Sequence, residues 1–172
     1  MNITVVEYDP NWPIEYQKEE QAIKEMLQDE LVNCFHIGST SVPDLKAKPI
    51  IDILLVASDI SKLDTYAAQF ENLGYEVMGE FGITGRRYYR KGGDHRTHHI
   101  HAFQYDHIQE IERHLAFRDY LRQNPNVCKE YGELKSKLAE QFPTDIDSYG
   151  DGKDDFVKKV EKEALKWHWT VR

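Results

Sequence analysis

Asp52 is the only charge in an otherwise apolar run, Ile50-Ile51-Asp52-Ile53-Leu54-Leu55-Val56, and an acid in that setting calls for a chemical reason. Downstream, Thr97-His98-His99-Ile100-His101-Ala102 carries imidazoles at strand alternation, so that His99 and His101 share one face and His98 and Ile100 the other. If the first face adjoins Asp52, a carboxylate and two imidazoles converge as candidate catalytic and metal-ligating residues. Such a set suits Zn²⁺, Mn²⁺ or Fe²⁺ better than Mg²⁺, which prefers an all-oxygen shell. Without a metal, one histidine could act as general base on a substrate hydroxyl. Histidines that merely bond strand neighbours or solvent are the plainer alternative.

Ahead of Asp52, His36-Ile37-Gly38-Ser39-Thr40-Ser41 closes a short strand with a turn. Gly38 lets the backbone bend sharply, and the amides and hydroxyls of Ser39, Thr40 and Ser41 then aim at a common point, an arrangement suited to phosphate oxygens. Cations follow at Lys48, Arg86, Arg87, Arg90 and Lys91. Alternation places Arg87, Tyr89 and Lys91 on one strand face, where arginine's fork could clamp a polyphosphate, and sends Arg86, Tyr88 and Arg90 elsewhere. Any one of these cations is as readily a solvated charge.

The surrounding pattern alternates strands and helices before turning wholly helical. Ile3 to Tyr8 reads as a strand stopped by Asp9-Pro10, with Asn11 capping an amphipathic helix through Trp12, Tyr16, Ile23 and Leu27. Strands are expected at Cys34 to Ile37, Ile50 to Val56, Tyr75 to Met78, Gly85 to Lys91 and Thr97 to Phe103. A helix capped by Ser61 lies among them, and Gly92-Gly93-Asp94-His95 joins the last two strands. Helices follow from Ile108 to about Arg122, from Pro125 through Leu138, and from Lys153 through Trp167.

The 172 residues suffice for one domain with its own core, and a formal net charge of -8 argues against sequence-independent binding of bulk nucleic acid or anionic lipid. A small-molecule partner is expected instead. No apolar run has the length of a membrane span, and the N-terminus lacks a basic segment followed by a long apolar one, which reads as cytoplasmic. Cys34 and Cys128 have no metal-ligand spacing and read as free thiols.

Taken together, His36-Ile37-Gly38-Ser39-Thr40-Ser41-Val42-Pro43, Ala47-Lys48-Pro49-Ile50-Ile51-Asp52-Ile53 and His99-Ile100-His101 resemble the GrpB family of the nucleotidyltransferase superfamily. Phe117-Arg118-Asp119-Tyr120-Leu121 and the stretch from Tyr149 to Phe156 extend the likeness over nearly the whole chain. The resemblance implies a nucleotidyltransferase-like α+β fold, a mixed sheet packed with helices. It implies a single domain over 1–172, with a sheet-containing core at 1–106 and a helical portion at 107–172. It also implies binding of a nucleoside triphosphate or phosphate ester, and transfer of a nucleotidyl or phosphoryl group to a small acceptor. A divalent metal, Mg²⁺, Mn²⁺ or Zn²⁺, would sit on strand carboxylates, and Lys153 joins Lys48 as a phosphate-binding candidate through this likeness. The superfamily usually places a second acid two positions after the first, where this chain has Leu54. That departure keeps two alternatives open: a non-catalytic nucleotide or phosphometabolite binding module, and a metal-dependent phosphoesterase.

Overall fold

The computed structural model describes residues 2–171. Helix α1 (Trp12–Leu27) precedes strand β1 (Leu31–Ile37), and a 3₁₀ turn at Ser39–Ser41 leads towards β2 (Ile51–Ala57). Short helices α2 (Ile60–Leu63) and α3 (Ala67–Asn72) are followed by β3 (Tyr75–Val77), β4 (Arg87–Lys91) and β5 (His98–Gln104). Helices α4 (Ile108–Gln123), α5 (Pro125–Gln141) and α6 (Ile146–Thr170) complete the order.

The strands form a five-stranded mixed sheet in the order β1-β2-β5-β4-β3. β2 runs antiparallel to β1 and parallel to β5, and β4 runs antiparallel to both β5 and β3. Helical cover on both faces explains the near-continuous apolar character of β2. One face carries Ile51, Ile53, Leu55, Ile100 and Ala102 against Trp12, Tyr16, Ile23 and Leu27 of α1, Leu63 of α2 and Phe70 of α3. On the other, Ile37, Leu54, Val56 and Phe103 meet Ile111 and Leu115 of α4. Leu54 is fully buried there, and burial of a leucine stabilises by about 2 kcal/mol. The position where a second strand acid was expected is thus a core position facing α4.

Several local expectations need correction. Ile3 to Tyr8 forms no strand: Val6 makes an isolated bridge to Ala47, and the Ile3 amide donates to the Pro143 carbonyl instead of to a strand. A β-rich segment without an adjacent open sheet edge cannot continue its ladder. Asn11 holds the N-cap position of α1 without a side-chain cap bond, and Asp59, not Ser61, caps α2 by accepting from the Ser61 amide. The last helix begins at Ile146, capped by Asp145, so Lys153 lies within it. Gly150 and Gly152 read as loop residues in the sequence. Gly152, however, serves helix packing, since a Cβ there would meet Leu138 of α5 at 2.5 Å. Both cysteines are free, as expected, and both are buried. Among the described residues no helix is long and apolar enough to cross a membrane.

Candidate functional site

Sheet register sets the centre of the site. Asp52 lies beside Ile37 on β1 and beside His99 on β5, with His101 two positions further along the same face. The chain leaves β1 at Gly38 with φ 71° and ψ −172°, a conformation reserved for glycine, and turns tightly over the carboxylate. A Cβ at Gly38 would stand 2.7 Å from Asp52 Oδ2.

Asp52 Oδ1 lies 3.4 Å from both His99 Nδ1 and His101 Nε2. Arg86 Nη1 approaches His101 Nδ1 at 3.3 Å. A guanidinium only donates, so His101 Nδ1 accepts and the ring proton sits on Nε2, directed at Asp52. Arg86 is itself anchored through Nε to the Glu80 carbonyl and through Nη2 to the Phe81 carbonyl. Burial opposes ionisation of Asp52, but the hydrogen bonds from His101 and His99 prevail and hold its carboxyl well below the usual range.

The carboxylate faces a cavity of about 210 Å³ lined by Ser39, Thr40, Lys48, Ile50, Asp52, His99, Lys135, Tyr149 and Lys153. Lys135 of α5 is 2% exposed and donates from Nζ to Ser39 Oγ at 2.7 Å. Lys48 and Lys153 stand over the Tyr149 ring at 5.3 and 5.5 Å. The Tyr149 hydroxyl is buried with no hydrogen-bond partner among the described residues. Burial lowers the pKa of all three lysines, and the charge of Lys153 lowers Lys48 and Lys135 further. Three crowded cations facing a single carboxylate leave the cavity in want of an anion.

The structure distributes the sequence candidates unevenly. Ser39, Thr40, Lys48, Asp52, His99 and Lys153 line the cavity, and His101 touches Asp52 from the side. The Thr40 hydroxyl donates to the Ile50 carbonyl at 3.0 Å and so accepts from His36 Nε2 at 2.9 Å, which commits its proton. The Ser41 hydroxyl is committed to the Gly38 carbonyl. Arg87 and Lys91 must be corrected: the β4–β5 register sets them opposite Ala102 and His98, on the face away from His99 and His101. There Arg87 pairs with Asp64 at 2.8 Å and Lys91 with Glu19 at 2.9 Å, so neither is part of the phosphate set. Alternation separated the two groups of cations, but only register could show that Arg86, Tyr88 and Arg90 share the histidine face.

Sequence reading passed over Lys135, Tyr149, Arg118 and Arg122. Lys135 had a signal, a lysine on the apolar stripe of Tyr131, Leu134 and Leu138. Arg118 Nη1 donates to the His36 carbonyl at 3.2 Å, and Arg122 donates through Nε and Nη2 to the Ser41 carbonyl at 3.0 and 2.8 Å. The two arginines of α4 thereby clamp both ends of the serine turn.

As arranged, His99 and His101 both address Asp52 Oδ1, a carboxylate–imidazole cluster that does not fit a metal cage. His101 has its proton on Nε2 and its lone pair engaged by Arg86, and Leu54 supplies no second carboxylate. Among the described residues no group of three His, Cys, Asp or Glu side chains is placed to hold a metal ion.

Burial also pushes His36 and His114 down to about 4 from 6.5. An unfolded imidazole takes up its proton near pH 6.5, the folded one only near pH 4. Their stabilisation is therefore complete above pH 6.5 and is lost as the pH falls towards 4, each contributing roughly 3 kcal/mol in full. Urea unfolding from pH 7 to 4.5 should show a steady fall in stability, and His114→Gln should flatten it by about one proton's slope.

The fold and site define an α+β protein whose sheet and C-terminal helices enclose a cationic cavity beside a carboxylate–imidazole cluster. Residues 2–163 match the GrpB protein family, and the chain belongs to that family. The crystal structure of conserved protein GrpB from Enterococcus faecalis is 54% identical, with a TM-score of 0.94, covering 96% of this chain and 99% of that one. UPF0157 protein YqkA of Bacillus subtilis is 42% identical over 165 residues, which cover 96% of this chain and 48% of YqkA. UPF0157 protein PA4798 of Pseudomonas aeruginosa is 39% identical, with 95% of this chain and 68% of that protein covered. The chain thus spans about half the length of YqkA.

Proposed function

We propose that the cavity binds the phosphate groups of a small molecule, a nucleoside triphosphate or related phosphate ester, and transfers a nucleotidyl or phosphoryl group to a small acceptor. The observation that carries this reading is the convergence of Lys48, Lys135 and Lys153 with Ser39 on one cavity beside Asp52. Lysines with weakened hold on their protons regain full charge when an anion arrives, so the site is built for a ligand that neutralises it. During transfer the acceptor atom forms a bond to phosphorus while the bond to the leaving group breaks, releasing pyrophosphate when a nucleotidyl group moves or the nucleoside diphosphate when a phosphoryl group moves. The lysines balance the charge that develops. His99 turns Nδ1 towards Asp52, which leaves its other ring nitrogen to take the acceptor's proton.

His99→Ala should keep nucleotide affinity within about threefold while turnover falls roughly 10²- to 10⁴-fold, the usual worth of a general base. Calorimetric titration with ATP, CTP, GTP and UTP measures the first. Phosphorus NMR of product formation with a panel of hydroxyl and amino acceptors measures the second. Failure of wild type to bind any nucleotide or phosphate ester would sink the proposal. Binding without turnover for every acceptor would favour the non-catalytic module, the reading that Leu54 supports.

A further inference from the structure

The lysine cavity holds about 210 Å³, below the range of about 300–1,000 Å³ usual for small-molecule sites, so a nucleotide anchored there must extend beyond it. A second cleft, of about 290 Å³, shares two lining residues with the first, Lys48 and Ile50. Pro49 and Ile50 give it an apolar floor, and Asn2, Thr4, Asp94, His95, Arg96 and Thr97 supply polar walls. Together the two reach the size of a nucleotide site. Such a floor with a few convergent donors and acceptors is what a heteroaromatic base with its sugar requires.

The wall formed by the β4–β5 connection is firmly built. The amide of His95 donates to the Gly92 carbonyl and that of Thr97 to the Lys91 carbonyl, both at 2.9 Å. Gly92 has φ 107°, and a Cβ there would lie 2.2 Å from the His95 carbonyl oxygen, so only glycine lets the turn close. Asp94, His95 and Arg96 are consequently presented from a constrained turn, which lowers the entropy lost when they engage a ligand. Asp94 offers an acceptor to an exocyclic amine or a ribose hydroxyl, and Arg96, held at 4.0 Å from Glu76 through Nη1, offers its remaining donors or a stacking plane.

We infer that this cleft is the nucleoside subsite of the ligand whose phosphates occupy the lysine cavity, with Lys48 at the junction. The inference rests on the phosphate reading above and adds that affinity is shared between a phosphate end and a nucleoside end. The test compares inorganic tripolyphosphate with ATP, CTP, GTP and UTP by calorimetry, on wild type, His95→Ala and Arg96→Ala, with melting curves as the check on folding. Wild type should bind at least one nucleotide about tenfold more tightly than tripolyphosphate, the worth of one charge-assisted hydrogen bond. Each variant should lose most of that margin yet keep its tripolyphosphate affinity within about twofold. His95 is exposed, so its variant remains informative if Arg96→Ala disturbs folding. Equal affinities of wild type for tripolyphosphate and all four nucleotides, or variants that leave the margin intact, would overturn the subsite and spare the phosphate reading. Absence of binding by tripolyphosphate and nucleotides alike would overturn both.

Discussion

Lys135→Met should make the protein more stable while removing its affinity for phosphate. The lysine is 2% exposed, donates one hydrogen bond to Ser39 Oγ and stands 4.4 Å over the Tyr131 ring, and the charges of Lys48 and Lys153 act against its own. Exchange of a poorly compensated buried charge for an apolar chain of similar length typically stabilises by a few kcal/mol, less about 1 kcal/mol for the lost bond. A gain of about 2 kcal/mol is expected, some 4–8 °C in Tm for a chain of this size. Tripolyphosphate affinity should fall about 100-fold with the loss of a buried charge-assisted contact. In wild type the depressed lysines reclaim protons on binding, so affinity should rise as the pH is lowered and calorimetric heats should vary with the buffer's ionisation enthalpy. A variant that is less stable than wild type, or that binds phosphate equally well, would show that Lys135 serves the fold alone.

Gly38→Ala should be among the most damaging small substitutions. Its φ of 71° and ψ of −172° are hostile to any side chain, and the new methyl would press on Asp52 Oδ2 at 2.7 Å and Asp52 Cβ at 3.0 Å. The strained backbone and the displaced carboxylate together should cost about 3 kcal/mol, read from the urea midpoint. Because relief requires Asp52 to move from His99 and His101, turnover should fail even in the fraction that folds. Stability within about 0.5 kcal/mol of wild type would contradict the described turn.

Much of the architecture was legible because hydrophobic period carries it. The apolar run around Asp52, the alternation at His99 and His101, and the stripes of α1, α4 and α5 all appear where the pattern placed them. The sheet-and-helix class and the family follow from the same segments. The site was only half legible. Strand alternation reveals which residues share a face of their own strand, but the face that meets a neighbour depends on register, and this misassigned Arg87 and Lys91. Lys135 and Tyr149 reach the cavity from helices far along the chain, and no local spacing links Lys135 to Ser39. The early segment, Ile3 to Tyr8, failed for a related reason: strand propensity is a preference that a partner edge must satisfy.

The clamp of Arg118 and Arg122 on the carbonyls of His36 and Ser41 makes the serine turn an extension of α4 as much as of β1. One wall of the cavity comes from the sheet side, with Ser39, Asp52 and His99 in it, and the other from Lys135, Tyr149 and Lys153 on the helices. On the proposed reading, an anion seated there would act as a removable crosslink across 96 positions of chain between Ser39 and Lys135. Ligand occupancy would then be coupled to the docking of the helices on the sheet, and the bound molecule would become part of the mortar between the two.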